Sequence, residues 1–178
     1  MMRCALAAAF MAGSPLLASC SNAATSAAIP TVSTAARPNH RVIFRTLYTF
    51  KSKPDGAFSR AGLTPMNGLL YGTTFFGGMY NAGSTFSVSA SGTETLLHSF
   101  AWDSGGAYPI APLLALNGSL YGTASEAGAY GAGAAFALTS SGEESVLHEF
   151  QDRPDGAEPW SALTSINGTL YGTPNAAA

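Results

Sequence analysis

Short apolar segments separated by turns rich in glycine and asparagine run through most of the chain. In one such segment, Val146, His148 and Phe150 share one face of an extended strand, because successive side chains of a strand point to opposite faces. Leu147 lies on the other face, so both faces are partly apolar, as expected of a sheet that packs between two neighbours. Beyond the N-terminal 20 residues no segment has helical periodicity. The pattern predicts an all-β fold.

A repeat with a period of fifty residues organises these segments. The pairs Asn67-Gly68, Asn117-Gly118 and Asn167-Gly168 are each followed by Leu-Tyr-Gly-Thr one residue later. Asn-Gly between apolar segments is a strong signal for a β-hairpin, because a type I′ turn needs positive φ at both central residues. In the middle unit this hairpin would join strands at 113–116 and 119–124. A second hairpin would join strands at 134–139 and 144–150.

Four antiparallel strands in about fifty residues is the size of a propeller blade. Residues 42–50 correspond to the fourth strand of a unit, and residues 170–173 end a second strand. We therefore expect eleven strands and a partial β-propeller-like array of about 2.5 four-stranded units. Propellers usually have at least four blades, and an unclosed array leaves edge strands. Either chains self-associate to complete a ring, or the array stays open as a truncated relative of a longer protein.

The repeat has a recognisable sequence. It runs Asn-Gly-Ser-Leu-Tyr-Gly-Thr at 117–123, Gly-Ala-Tyr-Gly-Ala-Gly-Ala-Ala-Phe at 128–136, Ser-Gly at 141–142 and Leu-His-Glu-Phe at 147–150. Together these segments resemble the GloVer tandem repeat of bacterial "choice-of-anchor" exported proteins. The resemblance covers about residues 42–173. It implies a β-propeller-like array and an exported location, and it supplies no catalytic residues.

The N-terminus predicts export and anchoring. Arg3 and the apolar stretch that follows it are typical of a secretory leader. Leu17-Ala18-Ser19-Cys20 resembles the lipobox of bacterial lipoproteins, which implies a lipid on the Cys20 thiol and an anchor in the membrane. Ser21 after the cysteine favours the outer membrane. The alternative is ordinary secretion with cleavage after a small residue such as Ala23.

The predicted domain organisation follows from these features. Residues 1–19 form a lipoprotein signal peptide, and residues 20–41 form a flexible linker that begins with the lipidated Cys20. The linker is rich in Ala, Ser, Thr and Pro and is too poor in large apolar residues to order itself. Residues 42–173 form the β-repeat domain, and residues 174–178 form a C-terminal tail.

The charge distribution excludes one class of partner. The net charge is −2, and from Ala61 onward Arg153 is the single basic residue apart from histidine, in a segment that carries nine acidic residues. A protein that binds nucleic acid needs clustered basic residues to neutralise phosphates. We expect no nucleic-acid partner.

Histidines recur at His98 and His148, where the first unit has Tyr48. Tyrosine does not replace a histidine base or metal ligand, so we interpret this position as aromatic packing with a polar edge. No residue pattern indicates a catalytic centre or a cofactor. Asp152, Asp155 and Glu158 form a weak candidate for a calcium site, because carboxylate oxygens suit that ion. Asp155 is more simply a turn residue.

Aromatic residues in the connections are the remaining candidates for ligand contact, since exposed rings suit sugars or protein partners. The main candidates are Tyr80, Trp102, Tyr108, Tyr130 and Trp160, with Phe75 and Phe76 nearby. The competing interpretation is packing between units.

The sequence as a whole predicts a non-enzymatic, lipid-anchored module of the cell envelope that binds carbohydrate or an envelope protein. One alternative is a propeller-type hydrolase or lyase acting on extracellular polysaccharide, with acids from residues 152–158. A truncated, non-functional fragment of a longer repeat protein is the other alternative.

Overall fold

The computed structural model of the protein describes residues 45–103, 105–153 and 155–175. These residues form β-strands and no helix, which confirms the all-β prediction, and every pairing between two strands is antiparallel. In chain order the strands are β1 (Gly56–Ala57), β2 (Thr64–Met66), β3 (Leu69–Thr74), β4 (Phe76–Gly77), β5 (Ser84–Val88), β6 (Glu94–Ser99), β7 (Ala107–Pro109), β8 (Leu114–Leu116), β9 (Ser119–Glu126), β10 (Ala134–Leu138), β11 (Glu144–Glu149), β12 (Thr164–Ile166) and β13 (Thr169–Tyr171).

The first two units are antiparallel sheets whose strands neighbour each other in chain order. The first sheet has the order β2-β3-β5-β6, and the second has the order β8-β9-β10-β11, with β7 sharing the β8 edge of β9. The predicted Asn-Gly hairpins are confirmed, because φ is 50° to 52° at the three asparagines and 77° to 81° at the three glycines. The predicted strands of the middle unit agree with β8 to β11 within two residues at each end.

The start of the array differs from the prediction. Residues 45–50 form no strand, although the sequence predicts one over residues 42–50. A unit's fourth strand pairs with its third, and no such strand lies beside residues 45–50 in the described structure. Their side chains contact the first unit instead. The ring of Phe50 lies 4.8 Å from the ring of Phe86, and the Tyr48 hydroxyl donates to Asp55 at 2.9 Å.

Connections within and between the units form strands that the sequence does not predict. β1 pairs with β4, and β7 pairs with the end of β9. These segments contain glycine and proline, so their pairing is set by the neighbouring strand and not by their own strand propensity. The expected count of eleven strands is therefore wrong for the described residues, in which thirteen strands form.

The third unit contains one pair of strands, β12 and β13, in the described residues. The strands of residues 45–103, 105–153 and 155–175 do not close into a barrel or a ring. The core lies where the first and second units meet. Its buried side chains include Tyr71 from the first unit and Leu120, Phe136 and Leu138 from the second.

The predicted signal peptide (1–19), Cys20 and the linker (20–41) lie outside the described residues, as does the end of the predicted tail (176–178). The described residues all belong to one compact unit, Ile43–Ala178. A helix with the length and apolar character needed to cross a membrane is not found among them.

Candidate functional site

The connection into each unit holds one residue in a left-handed backbone conformation. Phe58, Tyr108 and Glu158 occupy this position fifty residues apart, with φ of 56°, 60° and 49°. A left-handed residue other than glycine costs about 1–3 kcal/mol and needs support from its surroundings. At Tyr108 and Glu158 that support is a backbone hydrogen bond to the preceding unit. The Tyr108 N–H donates to the Ala82 carbonyl at 2.8 Å, and the Glu158 N–H makes the equivalent bond at 2.9 Å.

Five aromatic rings meet at the junction between the first and second units. We call Phe58, Phe75, Phe76, Trp102 and Tyr108 the aromatic surface. Tyr108 is its centre, stacked on Phe75 at 4.7 Å and meeting Phe76 and Trp102 edge-on at 5.2 Å and 4.9 Å. Phe58 extends the surface through Phe76 at 5.7 Å. Such edge-on and stacked contacts are the preferred geometries of aromatic pairs.

The aromatic surface is open to solvent. Phe58 is 66% exposed and Trp102 is 57% exposed, while Phe75, Phe76 and Tyr108 are half-buried. The guanidinium carbon of Arg60 lies 4.0 Å from the centre of the Phe75 ring, within the range of a cation–π contact. Burial raises the pKa of the Tyr108 hydroxyl, and the charge of Glu126 raises it further. The surface therefore offers exposed ring faces beside a guanidinium and a neutral phenol.

A second recurring arrangement joins the aromatic position 48/98/148 to a carboxylate. Tyr48 donates to Asp55 at 2.9 Å, and His148 Nε2 lies 2.6 Å from Asp155 Oδ2. Each of these rings, and that of His98, also contacts the phenylalanine two residues later at 4.8 to 5.3 Å. The two aspartates also accept backbone N–H groups from the turn that precedes them.

At the middle position glycine replaces the aspartate, and a different carboxyl takes its place. Glu144 reaches over Gly105, and its Oε2 lies 3.5 Å from His98 Nε2. Burial, and then the charge of Asp103, raises the pKa of Glu144 to about 7, and burial lowers the pKa of His98. Both shifts favour neutral forms, so this contact is weak as an ion pair at neutral pH. The sequence reasoning did not single out Glu144; its recurrence as Glu94 was the available signal.

The calcium candidates do not share one site. Asp155 accepts from the Gln151 N–H at 2.9 Å and pairs with His148, and the pKa of Asp155 is lowered by the Gln151 hydrogen bond first and by His148 next. Asp152 pairs with Gly156 through its backbone. Within the described ranges no three His, Cys, Asp or Glu side chains come together as a metal-binding group.

Comparison with known families shows the family to which the chain belongs. A family model described as the Gloeobacter/Verrucomicrobia repeat matches residues 30–177. The chain belongs to the Gloeobacter/Verrucomicrobia repeat family. This confirms the resemblance to the GloVer repeat seen in the sequence. A search of curated proteins found no significant match.

Most residues of the aromatic surface do not recur as aromatic residues in the next unit of this Gloeobacter/Verrucomicrobia repeat. The positions of Phe75, Phe76, Trp102 and Tyr108 are aromatic at the first junction. Fifty residues later the same positions hold polar or acidic residues: Ser125, Glu126, Asp152 and Glu158. The repeat folds with either set, so the rings are not required by the architecture of the junction.

The structure separates the predicted aromatic candidates into two groups. Trp102 and Tyr108 meet in the aromatic surface, whereas Tyr80, Tyr130 and Trp160 are 55%, 60% and 55% exposed. These three rings make no aromatic contact within the part of the chain that the structure describes. Sequence reasoning missed Phe58 and Arg60. The signal for Phe58 was its alignment with Tyr108 in the fifty-residue repeat.

Proposed function

We propose that this chain is a non-enzymatic, lipid-anchored β-repeat module of the cell envelope that binds carbohydrate through the aromatic surface. The observation that carries the proposal is the set of five contacting rings at one junction, of which two are more than half exposed. At the next junction four of the five positions hold polar or acidic residues. Contiguous exposed apolar surface on a soluble domain marks an interaction site.

Carbohydrate suits this surface better than a protein partner does. Trp102 and Phe58 are each more than half exposed, and flat aromatic rings can stack on the apolar C–H faces of sugars. Arg60 adds fixed N–H donors beside the rings, and these match hydroxyl or carboxylate oxygens. A partner that bound at the acidic second junction would make no contact with these rings.

The units are proposed to stack as blades of a propeller-like array. Each complete unit is a four-stranded antiparallel meander of about blade size, and the core lies between successive units. Binding sites in such arrays form from the connections between blades, which is where the aromatic surface lies.

The anchor is proposed to be a lipid on Cys20, with the outer membrane as the location and secretion as the alternative. The support is the lipobox-like sequence Leu17 to Cys20 and the serine that follows it. The test is membrane fractionation with labelled palmitate. Cys20→Ser should abolish label incorporation and move the chain from the membrane to the soluble fraction. A variant that stays membrane-bound would rule out the lipid anchor without affecting the carbohydrate proposal.

The binding proposal is tested on a glycan array with the full-length chain in mild detergent. Trp102→Ala should lose binding, and Trp160→Ala, which removes an equally exposed tryptophan without ring partners, should retain it. Assay of the bound glycans for cleavage products separates a binding module from an enzyme. Equal binding by the two variants would exclude the aromatic surface as the site.

A hydrolase or lyase acting on extracellular polysaccharide is a second candidate. His148 lies 2.6 Å from Asp155 and lines an open depression of about 480 Å³ together with Tyr130 and Glu149. Product formation that is lost on Asp155→Asn and unaffected by Trp102→Ala would favour this enzyme over the binding module.

A further inference from the structure

Arg60 lies beside the aromatic surface, and its guanidinium covers the face of one ring. The guanidinium carbon is 4.0 Å from the centre of the Phe75 ring, which is closer than a group approaching in the plane of the ring could come. Tyr108 is stacked on the same ring at 4.7 Å, with 25° between the two planes. One face of a ring cannot hold both neighbours at these distances. Phe75 therefore lies between the guanidinium and the phenol.

The guanidinium is accessible to a ligand. Arg60 is exposed. In the described part of the chain both ion pairs contain a histidine, and no side-chain hydrogen bond includes Arg60. A guanidinium has N–H donors in a planar fork and no acceptor, and the fork matches two oxygens of one oxyanion. Its position on Phe75 places such an anion next to the exposed rings.

The architecture of the repeat accounts for neither Arg60 nor Phe75. Both residues belong to the first unit, and fifty residues later their positions hold Ile110 and Ser125. The second unit forms the same four-stranded order without the charge and without the ring. The contact between guanidinium and ring is therefore particular to the junction that carries the aromatic surface.

The first-unit side of the aromatic surface is basic. Residues 45–60 contain four basic residues and one acid, and residues 61–93 contain no charged side chain. The acid is Asp55, whose carboxylate already accepts from the Tyr48 hydroxyl and the Lys51 N–H at 2.9 Å each. A negatively charged group that approaches from this side is attracted, because complementary charge favours encounter and fixes orientation.

The second-unit side of the aromatic surface offers neutral and acidic oxygens instead. Burial, and then the charge of Glu126, raises the pKa of the Tyr108 hydroxyl, so the phenol stays a neutral donor. Glu126 is exposed, and its carboxylate can accept hydrogen bonds from hydroxyl groups. This side would repel an anion and suits uncharged sugar hydroxyls. An anionic group of a ligand is therefore directed to Arg60.

We propose that the carbohydrate bound by the aromatic surface is anionic, and that Arg60 selects it by pairing with a carboxylate or sulfate group on the sugar. This inference rests on the proposed function. The rings of Trp102 and Tyr108 contact any sugar, whereas the guanidinium makes charge-assisted hydrogen bonds only with a charged one. Uronic acids and sulfate esters share this chemistry, so both are included in the test.

Calorimetric titration of the full-length chain in mild detergent compares anionic sugars with their neutral counterparts. Hexagalacturonate is paired with its full methyl ester, and a sulfated galactan hexasaccharide is paired with its desulfated form. In at least one pair the anionic sugar should bind at least tenfold more tightly than its counterpart, and that pair identifies the anion as carboxylate or sulfate. Anionic sugars that bind no more tightly than their counterparts in both pairs would overturn the proposal.

Variants of two exposed arginines assign the preference to Arg60. Arg60→Gln removes the charge, so it should weaken binding of the anionic sugar at least tenfold and leave binding of the neutral sugar unchanged. Arg45→Gln makes the same change in net charge at a residue that lines a separate depression beside Phe86, and it should leave both unchanged. A preference for the anionic sugar that persists in Arg60→Gln would overturn the proposal.

Trp102→Ala separates failure of this inference from failure of the proposed function. It should weaken binding of both sugars of a pair, because ring contact does not depend on the charge of the sugar. If Trp102→Ala abolishes binding while neutral and anionic sugars bind the chain equally, the carbohydrate module stands and the selection by Arg60 is wrong. If Trp102→Ala leaves binding unchanged, or no sugar binds, the proposed function is wrong and this inference fails with it.

Discussion

The ring of Phe100 lies 4.9 Å from the ring of Phe136, and both side chains are fully buried. Phe100 follows the last strand of the first unit, and Phe136 lies in the third strand of the second. Their contact therefore joins two sheets that share no strand. Phe50 and Phe86 make the same contact fifty residues earlier, where Phe50 lies in the segment that precedes the first unit. An aromatic pair therefore fastens each complete unit to the part of the chain before it.

Replacing Phe136 with alanine tests this role. The ring is fully buried between Phe100 and Gly122, so its loss leaves a cavity and should lower the free energy of unfolding by about 3–5 kcal/mol. Urea denaturation followed by circular dichroism measures the change. Tyr130→Ala, which removes a ring that is 60% exposed, serves as the control and should cost well under about 1 kcal/mol. Similar costs for the two variants would show that the aromatic pair does not join the units.

Much of this fold follows from sequence, because local turn chemistry sets the hairpins. The Asn67-Gly68 turn and its two repeats have positive φ at both central residues, as the predicted turn type requires. The connections were harder to predict. Tyr108 adopts a left-handed conformation and β7 forms because the Ala82 carbonyl and the end of β9 lie beside them. Those contacts belong to the packing of two units and leave no local pattern.

Gly142 should be far less tolerant of alanine than Gly118 is. Both have positive φ, 91° and 80°, so each substitution carries a backbone cost of about 1 kcal/mol. At Gly142 the added carbon would also collide with the Leu97 carbonyl of the preceding unit, whereas nothing lies within 4 Å at Gly118. Thermal unfolding of the two variants should show a substantially lower midpoint for Gly142→Ala. Equal midpoints would mean that the second hairpin does not pack against the first unit.

Stability should fall as Glu144 ionises. Its pKa is raised to about 7 in the folded chain from its ordinary value of 4.5, first by burial and then by Asp103. The folded state therefore holds a proton that the unfolded state has lost between these two pH values. The free energy of unfolding should decrease from about pH 4.5 to about pH 7 and change little above it. The total is on the order of 1–3 kcal/mol.

Glu144→Gln isolates this contribution, because the amide stays neutral at every pH. The variant should be more stable than the original chain at pH 8 and equal to it near pH 4.5. His98 has a pKa lowered by burial, so its own effect destabilises the fold as the pH falls below about 6.5. At pH 8 His98 is neutral in both chains, so the difference in stability there reports Glu144 alone. A difference that does not vary with pH would mean that Glu144 is ionised freely in the folded chain.

The candidate site was only partly visible in the sequence. Trp102 and Tyr108 were identifiable as aromatic residues in connections, but Tyr130 and Trp160 have the same description and lie apart from them. What distinguishes the two groups is the junction at which Phe58 and Phe76 from the first unit meet Tyr108 from the second. This proximity comes from packing between units, and neither periodicity nor composition encodes it.

The most direct test of the proposed function uses the two tryptophans as reporters. The chain contains Trp102 and Trp160, so Trp160→Phe leaves emission from the aromatic surface alone, and Trp102→Phe leaves emission from the other site. Each variant is titrated with hexasaccharides of glucan, xylan, mannan and polyuronate type. At least one sugar should give a saturable change in Trp102 emission and none in Trp160 emission. Saturable binding, measured by calorimetry, that leaves Trp102 emission unchanged would contradict the account, as would the absence of binding to every sugar.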